Sequence, residues 1–355
     1  MAPTFAAARA VIERAVEAQA FPAAVVEVGT PHQPLWREAF GRLSFDPGAP
    51  VTRDDTYFDL ASLTKVLATT PLIARMTERG RISLDDPVST HLPRWQDRHG
   101  SAPVTIRDLL SHSSGLPAHR PLFRDYAGRV EFEQAICDTP LEYEPRSRST
   151  YSDLGFMLLG FILEDVAPLP AQLDTLMQQM GSIQDLQFNP PRGWLRNLAP
   201  TRHDEWRGRL LVGEVDDDNA WALGGAAAHA GLFGTSEAVG ACARHLLQLL
   251  DGRQGAFRKD TLLAFITRRP DIPGSSRALG WDTMLPTSSC GTRMSPRAFG
   301  HVGFTGTSLW IDPDRAIYVV LLTNRVHPTP DNNLISQVRP AFHDAVMDGL
   351  ERSGP

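Results

Sequence analysis

Strand-forming sequence is confined to the two ends of this chain, and that distribution limits the fold more than any other feature. Near the start, Phe21 to Gly29 (FPAAVVEVG) is a short apolar run with β-branched residues, and Leu35 to Arg42 follows as its hairpin partner. Far downstream, Arg297 to Gly303, Thr307 to Asp312 and Ala316 to Asn324 alternate or run apolar. Turns at Gly303-Phe304-Thr305-Gly306 and Asp312-Pro313-Asp314 separate them, which is the pattern of an antiparallel meander. Helical periodicity fills the interval. Ser62 to Arg79 carries the stripe Val66, Leu67, Leu72, Ile73 and Met76, with a kink expected at Pro71 and a stop at Gly80. Thr105 to Leu110 starts a short helix. Tyr151 to Val166 is apolar on more than one side and is expected to be buried, and Ser236 to Leu250 is helical again. Pro168 to Trp221, rich in proline, arginine and aspartate, reads as loop. An amphipathic helix within Met1 to Ala20 presents Phe5, Ala8, Val11, Ile12 and Val16 on one side, and a last helix from Asn332 to Asp348 stops at Gly349.

The simplest fold is α+β. One antiparallel sheet is built from both termini and flanked by the terminal helices, with a mainly helical region inserted. The predicted division is a sheet-containing part at 1–61 and about 270–355 and a helical part at about 62–269, within one catalytic domain of 355 residues. Hydrophobic residues at 42% and charged residues at 21% exclude a disordered chain. A net charge of -6 without a lysine or arginine block argues against a nucleic-acid partner. No run reaches the ~18 apolar residues that a membrane span needs. Cys137, Cys242 and Cys290 form no C-x-x-C pair and read as buried thiols of a reducing compartment. With no unbroken apolar core in the first twenty residues, a cytoplasmic protein is expected. The eleven histidines form no H-E-x-x-H or comparable cluster, so neither a metal nor another cofactor is expected.

Three short motifs carry the chemistry. In Ser62-Leu63-Thr64-Lys65, positions i and i+3 of a helix put hydroxyl and amine on one face. A serine hydroxyl needs a base in reach, and a lysine serves only if its pKa falls well below about 10.4. Tyr151-Ser152-Asp153 opens the buried helix, where a tyrosine can pass protons between nucleophile and leaving group. His301-Val302-Gly303 ends a strand whose edge N–H groups can hold an oxyanion. Each has an ordinary structural reading when taken alone.

In chain order the three motifs resemble the signature motifs of the serine β-lactamase and penicillin-binding-protein superfamily, class C in particular. Phe58 to Lys65 resembles the nucleophile segment, Thr105 to Pro117 the H-T-S-G-L-P segment, and Ala230 to Thr235 the glycine-rich turn beside the site. The resemblance implies that Ser62 forms an acyl-enzyme and that Lys65 and Tyr151 share the proton transfers. It places the oxyanion between the backbone N–H groups of Ser62 and Phe304. Asp153, His301, Gly303 and His229 would bind substrate or support the site electrostatically. His112 is read as structural. Trp194, Trp206, Trp221 and Trp281 line the cleft or pack the core.

Three positions depart from the β-lactamase pattern: Asp153 stands for asparagine and His301 for lysine, and Val302 lacks a hydroxyl. The site is then more negative by up to roughly two charges, and its grip on a β-lactam carboxylate is weakened. An ionised Asp153 would also raise Lys65. Either Lys65 stays charged and lowers Tyr151 so that tyrosinate is the base, or Asp153 pairs with a protonated His301. Val215 to Ala220 and Leu223 to Phe233 resemble a segment of hydrolases that cut the amide between N-acetylmuramic acid and peptide. The first functional expectation is therefore an amidase of peptidoglycan fragments. A carboxylesterase of the same family and a penicillin-binding or sensor module with slow deacylation are the alternatives. The partner in each case is a small-molecule substrate, and nothing in the sequence sets an oligomeric state.

Overall fold

The structure, a computed structural model, describes residues 4–96 and 102–351. The amphipathic start forms α1 (Ala6–Glu17), and the first apolar runs form the hairpin β1 (Ala23–Gly29) and β2 (Pro34–Gly41). A short strand β3 (Phe58–Asp59) leads into the Ser62 turn, a π-helical turn at Lys65–Thr69 and α2 (Thr70–Glu78). The helical interval continues with α3 (Val88–His91), α4 (Ile106–Leu110), α5 (Gly128–Cys137), α6 (Asp153–Glu164) and α7 (Leu169–Gln179). Then come β4 (Leu186–Phe188), the ribbon β5 (His203–Asp204) and β6 (Arg209–Leu210), α8 (Asp218–Ala222) and β7 (Leu232–Gly234). Two helices follow, α9 (Ser236–Leu250) and α10 (Lys259–Ile266). The chain closes with β8 (Asp282–Thr283), β9 (Phe299–Val302), β10 (Ser308–Asp312), β11 (Ile317–Thr323) and α11 (Ile335–Glu351).

The six-stranded sheet has the order β2-β1-β11-β10-β9-β8, so strands from the two ends of the chain meet at its centre. β1 and β11 pair antiparallel from Ala24 opposite Thr323 to Gly29 opposite Tyr318. Both strands are buried at every position, which explains their continuous apolar sequence. Side chains alternate between two cores, as the two-residue strand period requires. Val26, Val28, Val319 and Leu321 face a core shared with Ile12, Phe342 and Val346 of the terminal helices. Val25, Val320 and Leu322 face the larger core, which α6 and α9 also fill. One charge sits inside this packing. Glu27 accepts hydrogen bonds from Arg37 Nε at 2.7 Å, Arg244 Nη1 at 2.9 Å and Tyr318 OH at 2.6 Å. A second, three-stranded sheet, β3-β7-β4, carries the chain into the Ser62 turn.

Four sequence expectations are corrected. The stretch from Pro168 to Trp221 is not all loop, because α7 occupies eleven residues of it. Its prolines fall just before and inside the first turn, where the missing N–H costs nothing, and Leu169, Leu173, Leu176 and Met177 form a buried stripe. The irregularity near Pro71 lies one turn earlier, in the π turn, and Pro71 itself sits in the first turn of α2. Gly349 does not stop α11, which runs to Glu351. A Cβ at Gly349 would lie 2.5 Å from the Thr4 carbonyl oxygen, so the glycine serves the close approach of the N-terminal segment. Tyr151 precedes its helix, and Ser152 is the N-cap. Cys137, Cys242 and Cys290 are all buried. No single described helix is long and apolar enough to cross a membrane.

Candidate active site

The nucleophile segment is shaped by its strand. Leu60 N–H donates to the Leu232 carbonyl of β7 at 2.9 Å. The Asp59 carboxylate accepts the Ala61 N–H at 2.8 Å, which holds Ala61 in a left-handed turn at φ 48°. Ser62 then opens the helix, and Lys65 follows one turn on. The Lys65 side chain is fully buried. Its ammonium donates to Ser62 Oγ at 2.9 Å, to Asp153 Oδ1 at 2.7 Å and to the His229 carbonyl at 2.9 Å. All three of its protons are thereby assigned.

The second motif arrives from α6. Ser152 caps the helix, accepting the Gly155 N–H and donating to the Pro117 carbonyl at 2.6 Å. This fixes Asp153 as the first helical residue and Tyr151 just outside. The Tyr151 hydroxyl donates to Ser62 Oγ at 2.7 Å. His112 braces the motif: its Nδ1 accepts the Ser152 N–H at 3.0 Å, and its ring lies 4.6 Å from that of Tyr151.

The third motif closes the cleft. Gly303 follows β9 and lies against the nucleophile segment, where a Cβ would meet Thr307 Oγ1 at 2.1 Å and the Leu60 carbonyl at 2.7 Å. Thr305 and Thr307 hydroxyls donate to the Asp59 and Leu60 carbonyls at 2.7 and 3.0 Å. Arg325 Nε donates to the Phe304 carbonyl at 2.7 Å, and Arg339 Nη2 to the Gly303 carbonyl at 2.6 Å. Phe304 is half exposed at the cleft mouth. Among the described residues, neither the Ser62 nor the Phe304 backbone N–H has an acceptor, which leaves both for an oxyanion.

The electrostatics favour neither of the two sequence-based resolutions as a whole. Burial pushes Lys65 down, but Asp153 and Tyr151 together outweigh it and hold the amine above its ordinary value. Burial raises Tyr151, and Lys65 does not offset it, so the phenol rests protonated. A resting tyrosinate is therefore disfavoured. Burial, then Arg277 and Lys65, drive His301 well below its ordinary value. A protonated His301 paired with Asp153 is not what forms. Asp153 pairs with Lys65, while the neutral His301 donates Nδ1–H to the Val302 carbonyl at 2.8 Å and leaves Nε2 without a partner. His229 is buried behind Lys65, with Nε2 2.9 Å from Asp217 Oδ1, and does not reach the cleft wall.

The cleft encloses about 600 Å³ beside Ser62, Tyr151, Asp153 and His301. It holds what sequence reasoning missed. Arg277, on the wall, lies 5.2 Å from the Tyr151 ring centroid and supplies a positive charge that the third motif lacks. No spacing ties Arg277 to the motifs, so only the fold reveals it. Asp59 is the other omission. Burial and Asp216 push its carboxyl up to about 7, although it also accepts the Asp216 N–H at 2.7 Å. Of the four tryptophans, Trp281 is core and Trp194 stacks on Tyr57 at 3.9 Å. Trp206 and Trp221 are exposed and pack edge to face.

Comparison with known proteins agrees with this geometry. The beta-lactamase family model matches residues 8–339. Proteins of Salmonella gallinarum and Salmonella typhi, provisionally named D-alanyl-D-alanine carboxypeptidase, are 32% identical over 311 residues, covering 77% of this chain and 70% of theirs. Among solved structures, EstCE1, a hydrolase with promiscuous acyltransferase activity, superposes with a TM-score of 0.76 at 23% identity, over 96% of this chain and 97% of its own. A penicillin-binding protein homologue from Caulobacter crescentus gives 0.75 at 20% identity, over 97% of each chain. At those identities the structural likeness speaks for the fold, while the family match covers nearly the whole chain. The chain belongs to the beta-lactamase family and is a serine hydrolase of the β-lactamase and penicillin-binding-protein type.

Proposed function

We propose that this hydrolase is an amidase of peptidoglycan-derived fragments, cutting the amide between N-acetylmuramic acid and its peptide through a Ser62 acyl-enzyme. The observation that carries the reading is the Tyr151 hydroxyl donating to Ser62 Oγ at 2.7 Å. An amide nitrogen leaves only if it is protonated as the bond breaks, whereas an ester oxygen needs less help. Arg277 beside Tyr151 suits a substrate that carries carboxylates near the scissile bond, as such peptides do. The relatives' name also refers to an amide of the same polymer.

In this scheme bound substrate excludes water, and Lys65 passes a proton to Asp153 along their 2.7 Å hydrogen bond. The neutral amine takes the Ser62 hydroxyl proton as Oγ bonds the carbonyl carbon. The oxyanion rests on the N–H groups of Ser62 and Phe304. Tyr151 gives its proton to the departing nitrogen, the C–N bond breaks, and Lys65 reprotonates the phenol. Water then attacks the acyl group by the reverse path and releases the acid and free Ser62.

The test is mass spectrometry of N-acetylmuramoyl-L-alanyl-D-isoglutamine incubated with the enzyme, with Ser62→Ala as control. Free N-acetylmuramic acid from the wild type alone is the expected result. Release of D-alanine from peptides ending in D-alanyl-D-alanine, with the muramoyl amide left intact, would move the reading to a carboxypeptidase. Turnover of p-nitrophenyl esters with no amide cleaved would replace it by an esterase. An acyl-enzyme that persists would make the protein a sensor.

A further inference from the structure

A second pocket, of about 240 Å³, lies between α2 and α7. It is three turns along the helix from Lys65, about 15 Å at 1.5 Å per residue. Its charged lining is entirely cationic: Arg75 and Arg79 from α2, and Arg81 just beyond. No aspartate or glutamate lines it, in a chain whose net charge is -6. Leu72, Met76 and Val166 make an apolar wall. The Gln172 amide is already engaged, donating to the Leu163 carbonyl in the last turn of α6 and to the Ala167 carbonyl just beyond it.

Arg79 and Arg81 are exposed and would, alone, be an ordinary solvated face. Arg75 is different. It is 7% exposed, and its Nε has no hydrogen-bond partner. Arg339 and Arg207 also leave Nε unpartnered, but their Nη groups have acceptors, two carbonyls for Arg339 and Asp204 and Asp218 for Arg207, whereas no acceptor among the described residues meets the Arg75 guanidinium. A buried Nε without an acceptor is costly, and its cost is relieved when an anion in the pocket supplies one. Burial and the neighbouring Arg79 both push Arg75 down, in keeping with two cations that no carboxylate separates.

We infer that this pocket is a binding site for a small organic carboxylate, whose charged head meets Arg75, Arg79 and Arg81 and whose short apolar body lies along Leu72, Met76 and Val166. A fork of guanidinium donors matches a carboxylate in geometry as well as in charge. The site is separate from the Ser62 cleft and uses none of its residues.

Hexanoate is the probe, titrated by calorimetry into the full chain at constant ionic strength. Saturable binding of one equivalent is expected, weakened roughly tenfold or more in Arg75→Met, the loss of a charge-assisted contact. Because Arg75 is buried, Arg79→Ala and Arg81→Ala provide the same test at exposed positions, and each should weaken binding several-fold. Arg277→Ala, in the Ser62 cleft, should leave it unchanged. Absence of saturable binding would overturn the inference. So would binding that survives Arg79→Ala and Arg81→Ala, or binding that is lost in Arg277→Ala.

Discussion

Lys65 has no proton left for solvent: Ser62, Asp153 and the His229 carbonyl take all three. Its partnership with Tyr151 makes both side chains indispensable to the proposed chemistry. Lys65→Ala and Tyr151→Phe should each lower kcat/KM by roughly a thousandfold or more, with circular dichroism unchanged. Full activity in either would exclude the scheme. Asp59 contributes in another way. As a carboxylate it accepts two N–H groups, one from the Ser62 turn and one from the acidic loop. With its value pushed up to about 7 by burial and Asp216, kcat/KM should show an acid limb near pH 7, which Asp59→Asn removes along with most of the activity. The stability effect has the opposite sign from a salt-bridged carboxylate. The folded state binds the proton more tightly than the unfolded chain, whose aspartate titrates at about 3.9. This contribution to stability is therefore present at low pH and lost as pH rises from about 4 to 7. Urea denaturation should show the wild type losing ground to Asp59→Asn across that interval. At this scale Ser62 and Lys65 were legible because the helix period puts them on one face, and Tyr151 joined them only through the resemblance that the motif order carries. Arg277 and Asp59 were not, because their roles arise from side chains that approach across the fold without any fixed spacing.

Elements were legible where periodicity was strong and illegible where local chemistry cancelled it. α9 matches its expected span of Ser236–Leu250, capped by Thr235, because its stripe is long and uninterrupted. α7 escaped because prolines in and before its first turn mask a stripe of only four buried residues. The helix α6 makes a tighter demand than its sequence announces. A Cβ at Gly160 would stand 2.7 Å from Cβ of Ala228, on the segment whose next residue offers its carbonyl to Lys65. Gly160→Val should cost about 1–3 kcal/mol by overpacking. It should also lower kcat more than it raises KM, because it shifts the Lys65 acceptor rather than the cleft wall. Thermal denaturation read beside steady-state kinetics tests both. A stable, fully active variant would mean that the helix yields without moving His229.

The molecule as a whole is joined across its sheet, and the Glu27 cluster ties that sheet to α9. Glu27→Leu leaves Arg244 and Arg37 without their shared acceptor and should destabilise the protein by at least about 2 kcal/mol, measured by urea denaturation. No change would mean that solvent screens both arginines. The α+β plan could be anticipated because strand-type sequence appears only near the ends, and the expected sheet formed from those segments. The pairing of Ala24 with Thr323 also bears on how a cell must make this protein. A ribosome delivers β1 before β11, with the whole helical interval made between them. Throughout that interval the nascent chain holds a hairpin whose first strand is mostly apolar and open along one edge, a form prone to sticking to its neighbours. The same delay acts as a safeguard. The turn that carries Phe304 is also made after the interval, so a chain cut short before it carries Ser62 without the N–H that the proposed scheme gives the oxyanion.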